Sequence, residues 1–200
     1  MGLDSSLLER PLLGIISRLD AQKGLDILIE ILDKLMDLNA GLVILGSGDK
    51  SILEGLKKAA HRHQKMIGME TGFNNPLAHR IMAGSDIFLI PSRYEPCGLT
   101  QMYALKYGAV PVVRATGGLN DTIEPFDEKT GTGNGFKFGP YDADALFNEI
   151  KRALRLYQDK KAWKKLMAMG MAADFSWKKS AKAYMDIYAS VKKELTTATR

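Results

Sequence analysis

An α/β fold built on a doubly wound parallel sheet is what this 200-residue sequence predicts, on three observations. Short, nearly all-apolar runs at residues 11–17, 42–45, 87–90 and 110–113 read as strands buried on both faces, as parallel strands are. Segments with apolar residues three or four apart lie between them, and the turns that follow the runs are glycine-rich or polar. Strands alternating with helices imply a parallel sheet with right-handed crossovers.

Taken in order, the first run, PLLGIIS at residues 11–17, is followed by a polar loop at residues 18–24. Leu25, Leu28, Ile31, Leu32, Leu35 and Met36 then recur at helical spacing, so a helix is expected over residues 25–38 with one face on the sheet. The run at 42–45 ends at Gly46-Ser47-Gly48-Asp49, and Ile52, Leu53 and Leu56 open a second helix. Residues 65–69 form a weaker third strand, 76–83 a helix, 87–90 the fourth strand, 99–107 a helix and 110–113 the fifth strand, entered through Gly108 and Pro111. Residues 124–134 (EPFDEKTGTGN) read as an exposed loop and 135–138 as a last short strand. From Asp142 the pattern is helical to the end, with breaks near Gln158-Asp159 and Asp174-Phe175-Ser176. One domain at residues 11–174 is expected between a linker segment at 1–10 and a helical tail at 175–200.

With 46% apolar residues the chain has material for one substantial core. No run of eighteen apolar residues occurs, so no membrane partner is expected. The first residues have neither a basic stretch nor an apolar one, which argues against a signal peptide. Cys97 is the sole cysteine, which excludes an intrachain disulfide and suits a reducing cytoplasm. The formal charge is +5, yet residues 151–200 carry 13 Lys and Arg against 4 Asp and Glu, while residues 1–150 carry 15 against 19. The basic excess belongs to the C-terminal helices and reads as solvated helix faces, since no aromatic-basic motif marks a nucleic-acid partner.

The candidate site gathers at the carboxyl ends of the strands, where open α/β sheets bind ligands. Residues 91–100, PSRYEPCGLT, place Glu95 in a turn between the fourth strand and a helix whose first-turn N–H groups favour an anion such as phosphate. Glu95 beside them suits sugar hydroxyls; its plainer reading is a surface-loop carboxylate. Arg18 and Lys23 bracket the first strand-to-helix loop and suit a diphosphate, although taken alone they are ordinary surface charges. Phe73, in a loop after the third strand, is either a lid on the core or a ring on which a base stacks. Gly46-Ser47-Gly48 lacks the third glycine of a dinucleotide fingerprint, and Asp49 interrupts any Gly-Lys-Ser phosphate loop. Asp142-Ala143-Asp144 has metal-like spacing but reads as a helix cap, and His61, His63 and His79 have no zinc spacing with Cys97. No metal and no cofactor are expected.

These residues together resemble the nucleotide-sugar-binding domain of bacterial glycogen synthases and plant starch synthases, retaining glucosyltransferases of the two-domain GT-B architecture. The resemblance runs from about Pro11 to Tyr188. It rests on Ser17-Arg18-Leu19 with Gln22-Lys23-Gly24, on His79-Arg80-Ile81-Met82, on residues 91–108 (PSRYEPCGLTQMYALKYG), on Thr116-Gly117-Gly118-Leu119, and on Phe175-Ser176-Trp177 with Ala183-Tyr184. It implies a Rossmann-like domain in which Arg18 and Lys23 meet the donor diphosphate and Glu95 the glucose hydroxyls. The backbone at Gly98, Leu99 and Thr100 would meet phosphate and sugar, and Thr116, Gly117 and Gly118 are counted in the same donor site. Phe73 stands where the family usually has a Tyr on adenine. Related enzymes often have a second Glu eight residues after the first; here Tyr103 stands there, so no ribose contact is assigned.

The implied reaction transfers glucose from ADP-glucose to the non-reducing end of an α-1,4-glucan with retention. The acceptor would be met through an N-terminal domain absent from these 200 residues, so the chain is expected to bind nucleotide without turnover. The location implied is the cytoplasm, or the plastid for a plant starch synthase. Another GT-B nucleotide-sugar transferase and a non-catalytic nucleotide-binding module stay open as alternatives. Trp177, Ala181, Tyr184, Met185 and Tyr188 make one apolar helix stripe, which the resemblance assigns to a helix crossing back to that N-terminal domain.

Overall fold

The computed structural model describes residues 1–198, with side chains as far as Lys192. Six strands, β1 (Leu12–Leu19), β2 (Gly41–Gly48), β3 (Ile67–Thr71), β4 (Ile87–Ile90), β5 (Val110–Arg114) and β6 (Phe136–Phe138), form one sheet in the order β3-β2-β1-β4-β5-β6. Every neighbouring pair is parallel, with Leu12 opposite Gly41 and Ile87 opposite Val110. This is the doubly wound, Rossmann-like order, and its direction reverses between β1 and β4.

Helices cover both faces because each strand alternates its side chains. On one face Leu13, Ile15, Leu42, Ile44, Ile87 and Leu89 pack against α1 (Leu25–Met36), α2 (Lys50–Arg62), α6 (Ala143–Gln158) and α7 (Lys160–Ala172). On the other, Val43, Leu45, Phe88, Ile90 and Val113 meet α3 (Asn75–Gly84), α4 (Thr100–Tyr107) and α5 (Gly117–Thr122). Seven residues of α1 are buried, from Leu25 to Met36, and each large one contributes about 1.5 to 3 kcal/mol.

Three segments differ from the sequence expectation. First, β1 runs past Ser17 to Leu19, which is fully buried, and the polar loop shrinks to a 3-10 turn at Ala21–Lys23. Second, Gly46-Ser47-Gly48 belongs to β2 rather than to a turn. A Cβ on Gly46 would stand 2.0 Å from Ser17 O, so the glycines there permit close strand approach. Third, residues 124–134 are not wholly exposed. Phe126 is in the core, and bridges between Pro125 and Gly135 and between Asp127 and Thr132 give the loop its own pairing.

The first ten residues are docked: Leu7 is buried and the Asp4 N–H donates to Lys65 O. At the other end α8 (Trp177–Ala198) carries the predicted stripe, and Trp177, Tyr184, Met185 and Tyr188 are exposed along it. The tail's last two residues, Thr199 and Arg200, lie outside the described residues. No helix among the described residues is long and apolar enough to cross a membrane.

Candidate donor-binding site

Pro91 ends β4, since it has no N–H for the ladder, and the chain turns at Ser92–Leu99 before α4 begins at Thr100. Buried Ser92 donates through Oγ to Glu95 Oε2 at 3.2 Å, and Lys23 Nζ sits 2.6 Å from the same oxygen. The side chains of Lys23 and Glu95 are 19% and 11% exposed, so this is a largely desolvated ion pair. Glu95 Oε1 has no hydrogen bond among the described residues, which leaves it free to accept from a ligand.

Lys23 is delivered to that place by its own loop. Asp20 accepts from the Lys23 N–H, and Gly24 turns left-handed at φ 70° to start α1. A Cβ at Gly24 would stand 1.9 Å from Pro91 O, so only glycine lets the two loops touch. Gln22 binds the facing loop twice: its carbonyl accepts from Arg93 N at 2.8 Å and its Nε2 donates to Tyr94 O at 3.1 Å.

Behind Glu95 the α5 turn is packed against the same backbone. A Cβ on Gly117 would lie 2.1 Å from Glu95 O and one on Gly118 2.1 Å from Cys97 O, while the Gly118 N–H donates to Glu95 O at 3.1 Å. To one side, Arg114 Nη1 donates to Arg93 O and Tyr141 Oη donates to Asp26 at 2.5 Å, with the Arg93 guanidinium 4.4 Å above the Tyr141 ring. Burial, then the Asp26 bond, raises the Tyr141 phenol above its ordinary range.

Between β1 and β4, where the sheet reverses direction, lies a cavity of about 260 Å³ lined by Lys23, Ser92, Glu95, Gly98, Leu99 and Thr100 among others. The Gly98, Leu99 and Thr100 N–H groups have no acceptor among the described residues, and α4 starts without a side-chain cap. Its first turn is therefore open to an anion.

A second cavity of about 250 Å³ opens beside it, walled by Arg18, Leu45, Gly46 and Phe73 and sharing Ile16 and Ser17 with the first. Phe73 is 92% exposed there; it is no lid on the core, because it lies outside it. Arg18 is paired with Asp20 at 2.9 Å and its side chain is 67% exposed.

The sequence-selected residues thus divide. Lys23, Glu95, Gly98, Leu99 and Thr100 share one cavity, and Arg18 and Phe73 line the other. Gly117 and Gly118, after Thr116, line neither; they back the Glu95 turn. Asp142 caps α6 by accepting from the Ala145 N–H at 2.7 Å, and Asp144 faces Lys34 at 3.9 Å. Sequence reasoning missed Ser92 and Gln101. A hydroxyl three residues before the turn carboxylate was the available signal for Ser92; nothing local marked Gln101.

The chain is 48% identical over 182 residues to a glycogen synthase of Koribacter versatilis, covering 91% of this chain and 38% of that protein. It is 51% identical over 179 residues to a glycogen synthase of Desulforudis audaxviator, covering 89% and 36%. Among solved structures, the catalytic domain of Starch Synthase IV from Arabidopsis thaliana bound to ADP and acarbose superposes with a TM-score of 0.85 at 36% identity, over 94% of this chain and 40% of that one. The chain therefore spans well under half the length of each of these relatives. Residues 5–167 match the model of the glycosyl transferases group 1, and the chain belongs to that family.

Proposed function

We propose that this chain is the donor-binding domain of a glucosyltransferase that moves glucose from ADP-glucose to the non-reducing end of an α-1,4-glucan with retention. The observation that carries the reading is the Lys23–Glu95 pair in a cavity at the sheet's reversal point, opening beside a second cavity that bears a cation and an exposed ring. The glycogen synthases at about half identity, and the neighbouring starch synthase bound to ADP and acarbose, support it.

In this reading adenine lies on Phe73 and the diphosphate crosses the wall of Ile16 and Ser17. Its charge meets Lys23, Arg18 and the open N–H groups at Gly98–Thr100. Lys23 leaves Glu95 for the phosphate, and both oxygens of Glu95 then accept sugar hydroxyls. As the bond from the anomeric carbon to the diphosphate breaks, negative charge grows on the leaving oxygen, where fixed cations and backbone dipoles stabilise it most. These groups fill the place a divalent metal takes in other phosphate sites, so binding is expected to persist in EDTA. The glucan acceptor would be met by another domain of a longer protein.

Thermal unfolding with ADP, UDP and GDP tests the donor, because the preferred ligand raises the melting temperature by mass action. ADP should give the largest shift, and labelled ADP-glucose with glycogen should give no elongation by this chain alone. A larger shift with UDP, or robust incorporation, would overturn those parts of the reading.

A further inference from the structure

Gln101, in the first turn of α4, is 0% exposed and stands in the wall of the Lys23–Glu95 cavity. The two hydrogens of its Nε2 are shared among Cys97 O and Gly98 O, each at 3.0 Å, and Thr122 Oγ1 at 3.1 Å. Two carbonyl partners fix which end of the amide is nitrogen. The Thr122 hydroxyl in turn donates to Gly118 O at 2.6 Å, and the Gly118 N–H returns to Glu95 O. Gln101 therefore joins the Glu95 turn to α5 in one closed set of bonds. Its Oε1 stays buried without a partner, beside the bare α-carbon of Gly98, where a Cβ would stand 2.5 Å away.

The peptide plane gives this arrangement its consequence. In a trans peptide the C=O of one residue and the N–H of the next point in opposite directions. A side chain that draws the Cys97 and Gly98 carbonyls into the fold therefore turns the Gly98 and Leu99 N–H groups the other way. Both of those residues line the cavity of Lys23 and Glu95, and both N–H groups lack an acceptor among the described residues.

We propose that Gln101 is a positioning residue for the diphosphate: by holding the Cys97 and Gly98 carbonyls it aims the Gly98 and Leu99 N–H groups at the anion beside Lys23. The proposal rests on the donor-binding reading for the identity of the ligand. Only the amide nitrogen does this work, so a side chain of equal length without a donor should lose it. A carboxylate, which would face two carbonyls, should lose more.

The test titrates the 200-residue chain and its Gln101→Met and Gln101→Glu variants with ADP and with adenosine by calorimetry. The amide resonances of Gly98 and Leu99 are followed alongside. Gln101→Met should lose about tenfold or more in ADP affinity and keep its adenosine affinity, with the two resonances no longer shifted by ADP; Gln101→Glu should lose more. A core amide used only for packing would instead lower the melting temperature and weaken both ligands alike, and that result overturns the proposal. If Gln101→Met does not fold, Thr122→Val loosens the same amide and should weaken ADP a few-fold, and an unchanged affinity is equally fatal. ADP affinity in Gln101→Met equal to that of the unsubstituted chain removes this proposal alone. Failure of the unsubstituted chain to bind ADP removes it together with the donor-binding reading.

Discussion

Of the two cavities that share Ile16 and Ser17, the one around Glu95 is walled by charged groups held in a network of bonds, whereas the one beside Phe73 carries a ring and a cation that are mostly exposed. Glu95 is fixed by Ser92 and Lys23, Lys23 by Asp20 and Gly24, and the Glu95 turn by Gly117, Gly118 and Gln101. Phe73 follows Gly72, which has open space around it, and precedes Asn74, which caps α3. The difference fits the two tasks. A carboxylate and an ammonium act only at set distances and need a rigid frame, while a flat ring stacks on any base that comes within reach.

The largest expected difference between the two regions is in stability. Gly24 and Gly72 both have left-handed φ, 70° and 112°, but a Cβ at Gly24 would strike Pro91 O at 1.9 Å while one at Gly72 meets nothing within 4 Å. Gly24→Ala combines strain with a backbone collision and should cost about 3 kcal/mol, lowering the melting temperature by roughly 6 to 12 °C. Gly72→Ala carries the strain alone, about 1 to 2 kcal/mol. Equal melting temperatures for the two variants would mean that the Lys23 loop is no more rigid than the Phe73 loop.

Next in size is the pair of cations. Lys23→Ala removes a charge-assisted contact from a mostly buried site and should weaken ADP by about 2 kcal/mol, roughly thirtyfold. Arg18→Ala removes an exposed charge already paired with Asp20 and should cost about 0.2 to 1 kcal/mol, screened by salt. Calorimetry at two salt concentrations separates them; a larger loss at Arg18 would move the diphosphate into the Phe73 cavity.

How far the sequence foretold this frame differs between the same two regions. The run at Ile87–Ile90 and the helix that follows were legible almost to the residue, because an apolar strand closed by Pro91 and a helix closed by Gly108 are written locally. Lys23 and Glu95 were legible as types at the carboxyl edge, but their 2.6 Å pairing links positions 72 residues apart, and no periodicity encodes it. Gly46 and Gly48 looked like a turn since glycine marks turns and tight strand approach alike. Phe126 sits among charges in sequence, and its burial depends on the distant Phe136 and on Arg152, which donates to Phe126 O. Whether Phe73 faces core or solvent was likewise decided by the loop's path, which its residues do not fix.

Smaller again is the ring itself. Phe73 is exposed, so Phe73→Ala should leave the melting temperature of the unliganded chain unchanged and weaken ADP by about 1 kcal/mol, the scale of one aromatic contact; Phe73→Tyr should be nearly neutral. Adenosine should feel the same loss as ADP, the opposite of the pattern expected at Gln101. Identical ADP affinities in all three proteins would take the base off this ring.

The smallest expected effect lies at the opposite, amino end of the sheet. Asp86 precedes β4 at its amino end, where Oδ2 accepts from the Leu12 N–H at 2.9 Å, and burial raises its carboxyl above the ordinary Asp range despite that bond. The folded state therefore holds the proton to higher pH than the unfolded state does. Stability contributed by the protonated form is full below the ordinary Asp value and is lost as pH rises through the folded value. Asp86→Asn keeps an acceptor for Leu12 and cannot ionise, so urea unfolding should show the unsubstituted chain losing ground to the variant as pH rises from the acid range, with ADP affinity the same in both. A variant less stable by one constant amount at every pH would show that the ionised carboxylate is no burden there. A change in ADP affinity would mean that the two ends of the sheet are not independent.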